Sequence, residues 1–125
     1  MAGQMFGVGS PGSASGASGG KFLSYNNIST APQVVAAANP NRVRISFWNP
    51  HASITMFIAP SQVMIIGQSA PVTLTPSVAN LGGCIPLFAG NRIEFTGECQ
   101  GSFQAFSASG SALPLTVIDS NVPGS

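Results

Sequence analysis

From Lys21 onward, apolar and polar residues alternate with a period of two in short runs, and each run is closed by proline, glycine or asparagine. No stretch of ten residues holds helical spacing, so the alternation predicts an all-β chain. The clearest run is 42–48. There Val43, Ile45 and Phe47 fall on one face, and Arg42, Arg44, Ser46 and Trp48 fall on the other. A second run ends at Pro60, with Ile54, Met56 and Ile58 on one face and Thr55 and Phe57 opposite. Asn49-Pro50-His51 lies between the two runs as a turn.

Further strands are expected over 22–28, 33–38, 63–66, 72–75, 84–88, 92–96, 102–107 and 113–119. Ala89-Gly90-Asn91 is short enough to close a hairpin, which would turn Ile93 and Phe95 inward and Arg92 and Glu94 to solvent. Strands this short and this closely spaced predict an antiparallel two-sheet sandwich of jelly-roll type, with a closed barrel as the second choice. A single ten-stranded sheet would leave long edges open, and the prolines bordering several strands fit edges blunted against uncontrolled pairing.

The first twenty residues break this pattern. They hold seven of the fifteen glycines, with four serines and three alanines, a composition that cannot bury enough apolar surface to offset its own ordering entropy. The division is therefore an N-terminal Gly/Ser-rich arm over 1–20 and a β body over 21–125. Within the arm the large apolar side chains Met1, Met5, Phe6 and Val8 are gathered at the tip, and 9–20 reads as a flexible tether. A tether of that length has a root-mean-square reach of roughly 17–21 Å, so the tip could dock on a neighbouring subunit; a disordered tail fits the composition equally well.

Charge is the other departure from the ordinary. The chain carries four basic and three acidic side chains, 6% of its residues, where a soluble domain usually has about a quarter. A net charge of +1 supplies no field to attract a phosphate backbone or an anionic membrane, so neither nucleic acid nor membrane is an expected partner. No apolar run approaches the roughly 18–20 residues of a bilayer span, and no basic cluster precedes an apolar stretch as in a secretory signal. Synthesis in a cytoplasm is expected, with Cys84 and Cys99 as reduced thiols. A surface so poor in ions must be covered with small polar and apolar groups, and burial against other protein subunits is the natural way to keep it soluble.

The chain is thinly supplied for catalysis, with one histidine, three carboxylates and two thiols. His51 reads as a polar loop residue, Glu94 and Glu98 as surface charges separated by Gly97, and no nucleophile elbow surrounds any serine. One histidine cannot build a jelly-roll metal centre, and the glycine-rich arm has neither the lysine nor the following helix of a phosphate cradle. No catalytic residue, cofactor or metal is expected. Trp48 and Tyr25 could stack on a sugar ring, although a single tryptophan on a strand more often serves a core or an interface.

The run Asn39-Pro40-Asn41-Arg42-Val43, followed by Phe47-Trp48-Asn49-Pro50 and Ile58-Ala59-Pro60, resembles the opening half of small jelly-roll cement or decoration proteins of tailed bacteriophage capsids. Gly101-Ser102-Phe103-Gln104-Ala105-Phe106-Ser107-Ala108 and the run from Leu113-Pro114-Leu115 to Asp119-Ser120-Asn121 resemble the closing half, so that the likeness covers 42–121. The resemblance implies a virion protein that binds the exterior of an assembled shell, bridges adjacent major capsid protein subunits and catalyses nothing. Such proteins occur as homo-oligomers, and a dimer or a trimer is the expectation here. Met5, Phe6, Val8, Arg42, Arg44 and Trp48 are the candidate assembly contacts. Two rival functions stay open: a head-fibre or receptor-binding module for host glycan, requiring Trp48 or Tyr25 in a groove, and a small enzyme, requiring His51 beside a carboxylate or thiol.

Overall fold

A computed structural model describes residues 20–122, and the arm residues Met5, Phe6 and Val8 lie outside the described residues. Ten strands follow in order: β1 (Lys21–Ile28), β2 (Gln33–Ala36), β3 (Arg42–Trp48), β4 (Met56–Pro60), β5 (Gln62–Val63), β6 (Val72–Thr73), β7 (Ile85–Leu87), β8 (Arg92–Phe95), β9 (Phe103–Ser107) and β10 (Leu113–Asn121). The architecture is an all-β sandwich of two four-stranded sheets, ordered β1-β10-β3-β8 and β2-β9-β4-β7, with β5 and β6 forming a small hairpin inserted between β4 and β7. All strand pairs are antiparallel. No helix among the described residues is long and apolar enough to cross a membrane.

Strand β10 shows why alternation forces this shape. Leu113, Leu115 and Val117 are buried on its inner face, and Pro114, Thr116 and Ile118 are only half-buried on the outer one. The inner face meets Ile45 and Phe47 of β3, Met56 and Ile58 of β4, and Phe103 and Ala105 of β9 in one hydrophobic core. Three rings bridge the sheets: Phe47 lies 5.4 Å from Phe103 and 6.2 Å from Phe95, and Phe95 lies 5.5 Å from Phe103. These offset and edge-on geometries suit the aromatic quadrupole. Strand β9 is buried along its whole length. On its outer side Gln104 donates to the carbonyls of Pro60 and Leu74, which ties down the chain after the β5–β6 hairpin, and Phe106 packs 5.3 Å from Phe57.

Proline falls where the ladder can spare a donor. Pro86 is in β7, an edge strand, and Pro114 sits where the register between β1 and β10 slips, ahead of the first pairing with β3.

Two expectations about connections need correction. Residues 88–91 do not close a hairpin, because β7 pairs with β4 in one sheet and β8 with β3 in the other. The Asn91 amide donates to Phe88 and Gly90 has φ +78°, the marks of a type II turn. That turn has the wrong twist to continue a two-stranded ribbon and splays the strands, so the chain crosses between layers. The strand expected over 63–66 ends at Val63, and a turn replaces the rest: the Gln68 amide donates to Ile65, with Gly67 at φ +91°.

Candidate functional site

Ionisable groups are dispersed in the structure, and no three histidine, cysteine or acidic residues gather into a metal-binding group among the described residues. The His51 ring is used locally: its Nδ1 accepts from the amides of Ser53 and Ile54, both at 3.1 Å, and its own amide donates to Asn49 Oδ1. Buried Asn49 in turn donates from Nδ2 to Ile54 and Leu87, so the two side chains shape the loop between β3 and β4. Glu94 accepts from the Ser46 hydroxyl across the sheet, and Glu98 lies beyond the end of β8 at φ 54°. Cys84 and Cys99 are both free thiols, and burial pushes the Cys84 thiol above its usual value, which weakens it as a nucleophile.

Arg42 is the expectation the structure overturns. As a surface contact it should face outward with Arg44, yet it is fully buried. The cause is a β-bulge. Asp119 pairs with Ile45 and Ser120 with Arg44, but Asn121 pairs with Arg42, so Val43 is an extra residue that reverses the alternation. Val43 goes to solvent in place of Arg42. All five guanidinium donors are then met: Nε and one terminal nitrogen reach Asp119 at 2.9 and 3.3 Å, and the others reach the carbonyls of Ala37, Cys99 and Gly101. Asn39 and Asn121 extend this polar end of the interior through a 2.9 Å bond. Arg42 thus closes the sandwich and offers nothing to a partner.

Tyr25 is likewise engaged, half-buried with its hydroxyl donating to the Val35 carbonyl at 2.8 Å. Arg44 and Trp48 do face outward from the first sheet. Trp48 lies in a groove with Phe22, Ser24, Gly90, Arg92 and Ile118. The groove's polar side-chain groups are the Ser24 and Thr116 hydroxyls, the Trp48 indole N–H and the Arg92 guanidinium.

The second apolar feature is the tip of the β5–β6 hairpin, which the sequence reading placed in a strand. Met64, Ile65 and Ile66 are all exposed, and Ile66 at 101% is as open to water as in an extended chain. It occupies the second position of the Ile65–Gln68 turn, at the outer end of the loop between β5 and β6. The available signal was the unbroken run Val63-Met64-Ile65-Ile66 before Gly67, which alternates with nothing and ends on a residue suited to positive φ. Comparison with protein-family models, curated proteins and solved structures finds no match to this chain.

Proposed function

We propose that this protein is a structural component of a virion, binding the outer surface of an assembled phage capsid and cementing adjacent major capsid protein subunits. The observation that carries the reading is the full exposure of Ile66 at the end of an inserted hairpin, on a body with very few charges. An isoleucine fully exposed to water is stabilised when a partner covers it. The strand order supports the same reading. Apart from β4 to β7, each successive strand of the two large sheets lies in the opposite sheet, the winding expected of a jelly roll. Many copies on a regular shell would turn modest single contacts into firm retention through effective concentration. The reading assigns no catalysed reaction and places the protein on the capsid exterior, as a homo-oligomer.

The test is co-sedimentation with shells of a tailed phage carrying this chain, assembled without it. The native protein is expected to saturate the shells stoichiometrically, and Ile66→Asp to weaken binding by about tenfold or more, as for an interface anchor. Stability should change by less than about 0.5 kcal/mol, because the side chain touches little in the free protein. Failure of the native protein to bind such shells would remove the proposal. The exposure of Trp48 favours a second reading, a head-fibre module for host glycan. The sparse polar lining of its groove counts against that reading, since sugar hydroxyls require matched donors and acceptors.

A further inference from the structure

The outer face of the first sheet carries two crosswise rows of side chains. Phe22, Ile118, Ser46 and Glu94 stand abreast in one, and Ser24, Thr116, Trp48 and Arg92 in the next. Between them lies a recess of about 550 Å³, a volume in the range that holds a drug-sized ligand. Phe22 at 78% and Trp48 at 43% leave much aromatic surface in contact with water here.

We propose that this recess is occupied by Met5, Phe6 and Val8 of the same molecule, folded back from the chain that precedes β1. Position is the first argument. The chain enters β1 at Gly20, and Phe22 and Ser24 follow two and four residues later, about 7–13 Å along the strand. A Gly/Ser-rich stretch the length of residues 9–20 spans roughly 17–21 Å, enough to double back over that distance. Chemistry is the second. Residues 1–20 contain no charged side chain, and their large apolar groups lie together at the far end, matching a recess whose only charge is Arg92. Concentration decides between this chain and another copy. A tether this short holds the tip at a millimolar local concentration, which a second molecule at micromolar concentration cannot rival.

This inference goes beyond the capsid role and stands without it; it leaves the apolar β5–β6 turn open to a partner. Trp48 is the protein's single tryptophan, so its fluorescence reports on the recess directly. In the full chain, with no shell present, Phe6→Ser combined with Val8→Ser is expected to red-shift Trp48 emission. The acrylamide quenching constant should rise about twofold, by the same factor from about 1 to 100 μM protein, as an intramolecular contact requires. Far-ultraviolet circular dichroism and the urea midpoint of the β body should be unchanged. Met64→Ser on the hairpin should leave Trp48 unaffected. Unaltered quenching in the double variant overturns the proposal. So does a difference that grows with protein concentration, which assigns the recess to a second copy, or a response to Met64→Ser, which assigns it to a neighbour's hairpin.

Discussion

Arg42→Ala is expected to destabilise the protein by about 3–5 kcal/mol, measured by urea unfolding with an unchanged dependence on denaturant. The loss has two sources. Asp119 would be left at a buried position without its cationic partner, and the carbonyls of Ala37, Cys99 and Gly101 would lose their donor. Lysine cannot restore the network, because one ammonium has three donors where the guanidinium places five in a planar fork. Combining Arg42→Met with Asp119→Leu should be less harmful than Arg42→Ala alone, since removing both charges strands neither. A loss below about 1 kcal/mol for Arg42→Ala would mean that the bulge at Val43 does not hold the arginine inside.

Phe47→Ala is the other large effect, again about 3–5 kcal/mol. Phe47 is completely buried, and its ring pairs with Phe95 of its own sheet and Phe103 of the opposite sheet. Its removal opens a cavity between the layers that β-sheet backbones are too stiff to fill. Phe95→Ala should cost less, because Phe95 is only partly buried. The ranking is checked by thermal or urea unfolding of both variants, and an inverted order would refute the placement of the two rings.

Alternation made most of the fold legible. The bounds 42–48 coincide with β3, and the expected strands at 92–96, 102–107 and 113–119 each begin or end within two residues of the observed ones. Trp48 and Arg44 were also placed correctly, because both lie past the bulge where simple alternation holds. What the sequence hid are properties of pairing. A bulge is defined by the partner strand, so nothing in Arg42-Val43-Arg44 reveals that Val43 is the extra residue. A type II turn and a hairpin turn both ask for glycine, and only the fold shows that Gly90 sends the chain into the other layer. The exposed turn at Ile66 was misread for the opposite reason, since apolar residues in succession look like a buried strand until something is seen to leave them uncovered.

The position of β10 governs how the chain can reach this structure. It lies between β1 and β3, so the first strand has no neighbour in its sheet until the last one is present. During synthesis, a nascent chain that has not yet released Leu113–Asn121 from the ribosome leaves β1 unpaired and Arg42 without Asp119. Completion of the first sheet therefore waits for β10, the strand farthest from β1 along the sequence. It depends on contacts between distant parts of the chain, the kind of pairing whose loop-closure cost slows folding in β sandwiches.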